Sequence, residues 1–212
     1  MKRMIQPHQI QKKISENYFT SLRGVWYRSV DYRYCKTPLQ FSQTTIIPSR
    51  FSTAKAGDPT FPLLYFGENH DVVLKEVNAL FNPPGSNLFI ANPNTTPLIL
   101  NVNISLSTII DLTDEKVQKL LQLSFQELTG DWEGYRLRAI PNASVASNPA
   151  FAPTQLLGAE LYKIPDLLGF LTISAKSPDR KNLVVFPDKI KTKKHGSIEF
   201  YDPNTKKFHH IP

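Results

Sequence analysis

The chain has 212 residues, 41% of them hydrophobic and 20% charged, with a formal net charge of +7. These values describe one folded domain with room for a sizeable core, and they exclude a disordered chain. Cys35 is the only cysteine, which excludes an internal disulfide or a cysteine-rich metal site and suits a reducing compartment. The expected location is therefore cytoplasmic, where the sequons at Asn94, Asn103 and Asn142 carry no meaning. The apolar clusters PLLYF and DLLGFLTI fall far short of membrane-spanning length. The basic start MKRMIQPHQIQKK runs into no apolar segment and does not read as a secretory signal.

In chain order, residues 4–20 predict a short helix that covers part of the core. GVWYRSV (24–30) alternates as a strand and carries Arg28 between apolar neighbours. Residues 31–48 read as irregular, SRFST as a short extended piece carrying Arg50, and AKAGDP as a turn. LLYFG predicts a strand bearing Tyr65, followed by a helix from His70 to Phe81 with an apolar face of Val73, Val77, Leu80 and Phe81. SNLFIAN and PLILNVNISL predict strands. A helix is expected from about Thr113 to Leu128, with Asp114 and Glu115 at the positive end of its dipole. The connection 129–153 is long enough to be either functional or disordered, and Trp132 and Tyr135 argue for order. PTQLLGAELYKI predicts a second amphipathic helix with Pro153 near its start. LLGFLTISA and KNLVVFP read as strands around the turn KSPDR, and SIEFYDPNTKKFHHI as a hairpin turning at DPNT. Strands and helices mix without regular βαβ units, so the expected class is α+β, a single domain around a mixed, mainly antiparallel sheet.

Several chemistries are missing. There is no glycine-rich phosphate loop and no Gly-x-Ser-x-Gly elbow. The histidines His8, His70, His195, His209 and His210 lack metal-ligand spacing, so no metal is expected. Residues 187–212 carry Lys189, Lys191, Lys193, Lys194, Lys206 and Lys207 against Asp188, Glu199 and Asp202. Such an edge could attract nucleic acid, an acidic protein or an anionic small molecule, or be a solvated surface; no aromatics interleave as single-strand binding would want. An active site would have to be built from arginine, tyrosine, glutamate and serine.

Glu76 falls at the shoulder of its helix's apolar stripe, between Val72 and Leu80. A carboxylate there either snorkels to solvent or lies at the edge of a dry pocket, where it needs a cationic partner. Arg28, Arg50, Tyr65 and Ser174, at the end of LLGFLTIS, are the other residues that stand out. VWYRSV, SRFST, LLYFGENHDVVLKEV and LLGFLTISAKSPDRKNLVVFP together resemble the RES domain family, named for an arginine, a glutamate and a serine. The resemblance runs from about Gly24 to Ile190. It leaves residues 1–23 as an N-terminal helical extension and 191–212 as a basic C-terminal hairpin extension. Phe51 stands where the family commonly has tryptophan, and the stretch 88–153 is longer than in compact members.

The resemblance implies an ADP-ribosyltransferase-like fold and a toxin of a bacterial toxin–antitoxin pair. It implies NAD+ as substrate rather than a prosthetic group, cleaved at the nicotinamide–ribose bond by water or by inorganic phosphate as co-substrate. It also implies a helix-turn-helix antitoxin of the Xre kind, through which alone the toxin would meet DNA; self-association stays open. In that setting Glu76 stabilises the ribose cation, Arg28 and Arg50 grip the diphosphate, Tyr65 stacks on a ring and Ser174 gives an orienting hydrogen bond. ADP-ribosylation of a protein is the alternative within the same chemistry, and Leu74, two residues before Glu76, counts against it. A non-catalytic nucleic-acid-binding module is the alternative outside it.

Overall fold

A computed structural model describes residues 7–54, 59–82, 88–134 and 151–211. Its backbone is a ladder between β1 (Phe19–Asp31) and β5 (Pro97–Asp111), antiparallel from Phe19↔Ile110 to Asp31↔Pro97. Thr20 pairs with Ile109 but Leu22 with Leu106, so β5 carries an extra residue at a bulge. Between these strands in sequence come β2 (Leu64–Gly67), α2 (His70–Glu76) and the short hairpin β3 (Leu80–Phe81) and β4 (Ile90–Ala91). After β5 the chain forms α3 (Glu115–Leu121), α4 (Phe125–Thr129), α5 (Pro153–Tyr162), β6 (Gly169–Ile173) and β7 (Lys181–Val185). It ends in the hairpin β8 (Gly196–Asp202) and β9 (Lys207–Ile211). The sheet order is β1-β2-β7-β6-β5-β8-β9, and the β1–β5 pairing closes the first five strands into a ring. Only β5–β6 is parallel among the sheet pairings. The fold is thus α+β in one domain with a mainly antiparallel sheet, as the sequence led us to expect.

Alternation along the strands divides the core in two. Leu64 and Phe66 of β2, Leu183 and Val185 of β7, and Leu100, Val102, Ile104 and Leu106 of β5 pack on the face without helices. Tyr65, Val184 and Phe170 face the other way, into a layer with Leu121, Leu128, Leu157 and Leu161 from α3, α4 and α5. α1 (Pro7–Lys13) covers this layer through Ile10.

Several expectations need correction. The N-terminal helix stops at Lys13, and β1 begins at Phe19, so residues 19–23 belong to the sheet rather than to a helical extension. The C-terminal hairpin forms as expected but is no appendage: β8 pairs with β5, and Ile198 and Ile211 are buried in the core. The helix expected to Phe81 ends at Glu76, because Asn78 adopts a left-handed φ of 54° that closes the last turn. Val77 and Phe81 are consequently exposed, and the buried face is Val72 and Val73. The helix expected over 113–128 is two, broken at Gln122 (φ 53°) and restarted by a capping box between Ser124 and Glu127. Tyr135, most of the turn AKAGDP and most of the connection 129–153 lie outside the described residues.

The turn that carries Arg50 is built by contacts across the fold. Residues 49–52 form a tight turn in which Ser49 and Ser52 exchange backbone hydrogen bonds. Gln155 of α5 donates from Nε2 to the carbonyls of Ser49 (3.0 Å) and Ser52 (3.2 Å). Gly158, one turn further on, lets the Phe51 carbonyl approach so closely that an added Cβ would lie 2.0 Å from its oxygen. Gly158→Ala should therefore destabilise the fold by roughly 1–3 kcal/mol, as overpacking does, read from the urea midpoint. Gly24→Ala, where a Cβ meets nothing within 4 Å, should change stability by less than about 0.5 kcal/mol.

Candidate active site

The cleft starts from strand register. Tyr65, Val184 and Phe170 form one row across β2, β7 and β6, and two residues along each strand lies the row Gly67, Asn182 and Thr172. A step of two keeps side chains on the same face, so apolar side chains under the helices give way to a polar ledge. α2 lies over the glycine end of that ledge. Its approach needs Gly67, since a Cβ there would sit 2.8 Å from the Cγ1 atoms of Val72 and Val73. Asn69 starts the helix by accepting from the Val72 amide at 2.9 Å. The result is a cleft of about 570 Å³ lined by Arg28, Arg50, Tyr65, Glu76, Trp132 and Asn182, among others.

Glu76 is the last residue of α2, at the negative end of the helix dipole, where a carboxylate is electrostatically misplaced. Three donors hold it there, all on Oε1: the Ser174 hydroxyl (2.6 Å), the Ala175 amide (3.0 Å) and the Asn182 side-chain amide (2.8 Å). Ser174 is itself fixed, its Oγ accepting from the Ser177 amide at 3.0 Å. Among the described residues no group donates to Oε2. Glu76 therefore has one oxygen locked into the protein and one available to a ligand.

Both arginines face this carboxylate's cleft without an ion-pair partner within 4.0 Å among the described residues. Arg28 donates from Nε to the Pro38 carbonyl (3.3 Å) and from Nη1 to the Tyr65 carbonyl (3.2 Å). β1 and β2 share one registered pair, Tyr27↔Gly67, and the guanidinium adds a second link between them. Burial lowers its pKa to about 10, so it stays cationic at neutral pH. Arg50 rides on the 49–52 turn and donates from Nη1 to the Leu128 carbonyl near the end of α4 (2.9 Å). Burial lowers its pKa too, partly offset by the charges of Glu76, Asp131 and Glu133.

The five residues singled out from sequence are brought together, with roles divided. Arg28, Arg50, Tyr65 and Glu76 line the cleft. Ser174 is fully buried behind Glu76 and orients it. The Tyr65 hydroxyl, kept protonated by burial that raises its pKa to about 12, is paired with Ser49 Oγ (2.8 Å) and accepts from the Phe51 amide (3.2 Å). Tyr65 thus clamps the turn that carries Arg50, and its ring remains a wall of the cleft. Sequence reasoning misses Asn182, Thr172, Gln155 and Gly158. Asn182 and Thr172 are polar residues inside apolar strands, a signal that sequence alone offers without saying which face they join. The Thr172 hydroxyl is buried without a partner among the described residues. Among those residues no three His, Cys, Asp or Glu side chains converge as a metal site would require, and no helix is long and apolar enough to cross a membrane.

The fold has a counterpart among known structures. The fold is similar to a chain in a crystal structure described as the M. tuberculosis MbcT–MbcA toxin–antitoxin complex. The TM-score is 0.56 at 12% identity, over 91% of this chain and 89% of that one. No curated protein matches the sequence. The RES domain model matches residues 25–202, which take in all four of Arg28, Arg50, Glu76 and Ser174 together with β8. The chain belongs to the RES domain family.

Proposed function

We propose that this protein is an enzyme that cleaves the nicotinamide–ribose bond of NAD+, and that it serves as the toxin of a toxin–antitoxin pair. The observation that carries the chemistry is Glu76, with Oε1 held by three donors and Oε2 available in a cleft that Arg28 and Arg50 also line. NAD+ already carries its leaving group as a cation, so no acid is needed to protonate it. As the bond breaks, positive charge moves onto the ribose as in other glycosyl transfers. A carboxylate that cannot turn away stabilises that charge without reorganising. Arg28 and Arg50 supply planar, bidentate donors that match a diphosphate better than lysine does.

The acceptor is water or inorganic phosphate. Leu74, two residues before Glu76, supplies no second carboxylate for a protein acceptor, so small-molecule acceptors are favoured. The toxin reading is supported by family membership and by the fold's likeness to a chain from a toxin–antitoxin complex. A cognate antitoxin, of the Xre helix-turn-helix kind, would act by covering the cleft.

Purified protein incubated with NAD+ should consume it, and Glu76→Ala should not. ADP-ribose 1-phosphate formed only with phosphate present would identify a phosphorylase, and free ADP-ribose in both conditions a glycohydrolase. No NAD+ loss by the unmutated protein would reject the reading. Asn182→Ala frees Glu76 from one of its three anchors and should lower kcat by about 10-fold or more, a smaller effect than losing a donor that contacts the transition state directly. Unchanged kcat in that variant would remove the anchoring from the mechanism.

A further inference from the structure

Four aromatic side chains line the cleft: Phe51, Tyr65, Phe66 and Trp132. Phe51 and Phe66 are each only 1% exposed and belong to the two cores. Tyr65 is committed through its hydroxyl to the Arg50 turn. Trp132 differs from all three. It is half-buried, stacks on no other ring and gives its indole N–H to no acceptor among the described residues. Its backbone is nonetheless fixed, because Asp131 Oδ1 accepts from the Gly134 amide at 3.0 Å and ties the two sides of Trp132 together.

The cleft is lined by charges of both signs. Asp131 and Glu133 flank Trp132, line the cleft with it and are felt by Arg50 together with Glu76. The cleft thus carries an aromatic ring flanked by two carboxylates as well as the cations Arg28, Arg50 and Lys176. NAD+ also combines the two charge types, with a cationic nicotinamide ring and an anionic diphosphate.

Resting on the NAD+-cleaving reading, we propose that Trp132 is the platform on which the nicotinamide ring stacks. Asp131 and Glu133 supply the negative field that selects a cationic ring over a neutral one. Tryptophan offers the strongest π face for a cation. The arrangement also divides labour during the reaction. The C1′–N bond breaks with both electrons passing to the ring nitrogen, so the ring leaves neutral and the positive charge moves to the ribose beside Glu76. Attraction at Trp132 therefore holds the substrate and fades as the reaction proceeds, while attraction at Glu76 grows. Losing an interaction that weakens toward the transition state raises KM and kcat together and leaves kcat/KM nearly unchanged.

The test is a fluorescence titration with N1-methylnicotinamide, a permanently cationic ring without ribose, and with neutral nicotinamide, combined with NAD+ kinetics. Saturable quenching by the cationic ring, weaker quenching by the neutral one, and loss of the saturable phase in Trp132→Phe are expected; Trp26 does not line the cleft and supplies the remaining signal. Trp132→Leu should raise the KM for NAD+ by roughly ten-fold, the loss of a partly desolvated cation–π contact. Its kcat should rise with KM, so that kcat/KM stays within roughly three-fold. Quenching that is non-saturable and equal in both proteins would overturn the proposal, as would a fall in kcat at unchanged KM. If the unmutated protein consumes no NAD+, the functional reading fails by that result, and saturable quenching still identifies a cationic-ring platform.

Discussion

Everything in the cleft depends on one anchored oxygen. Glu76 Oε1 is the meeting point of α2, the end of β6 and the start of β7, through Ser174, Ala175 and Asn182. Hydrogen bonds to a charged group contribute about 1.5–3 kcal/mol each, enough together to keep a carboxylate at the unfavourable end of a helix dipole. The same bonds tie α2 to the β6–β7 hairpin, so the Glu76 carboxylate and the sheet are held as one unit. Gly67 permits this by letting the helix lie close on β2.

The arginines are held differently. Each guanidinium is bonded to backbone carbonyls and to no carboxylate, Arg28 across the β1–β2 fork and Arg50 against α4. Carbonyls orient a cation without neutralising it. Two unpaired cations near a surface cleft oppose folding, and a pair of opposite charges at 4 Å is worth about 4 kcal/mol at an effective dielectric of 20. A bound anion would recover that interaction. Unpaired charge of this kind costs stability and is typical of sites that receive an oppositely charged ligand.

The residues of the site are legible one by one, through the strand–helix LLYFGENHDVVLKEV and the strand LLGFLTIS, whereas their convergence is not. It requires the pairings Tyr27↔Gly67, Gly67↔Asn182 and Asn182↔Thr172, which join segments distant in sequence. Asn182 is a polar residue at a strand start until that register turns it toward Glu76. The end of α2 is hidden because Val77, Leu80 and Phe81 keep helical spacing, while the backbone at Asn78 decides otherwise. The break at Gln122 has no comparable local cause, but the restart at Ser124-x-x-Glu127 is a capping box visible in the sequence. Tyr65 is legible as a wall of the site, and its clamp on the Ser49–Ser52 turn is not, because that turn lies on a separate segment.

If the proposed chemistry is right, the cleft seats the ribose on Glu76 and the diphosphate on the two arginines. A crystal structure of the Glu76→Gln variant with NAD+ bound would decide it. The nicotinamide ribose is expected beside the side chain at position 76 and the diphosphate between Arg28 and Arg50. NAD+ bound with its diphosphate away from both arginines, or bound outside this cleft, would contradict that chemistry.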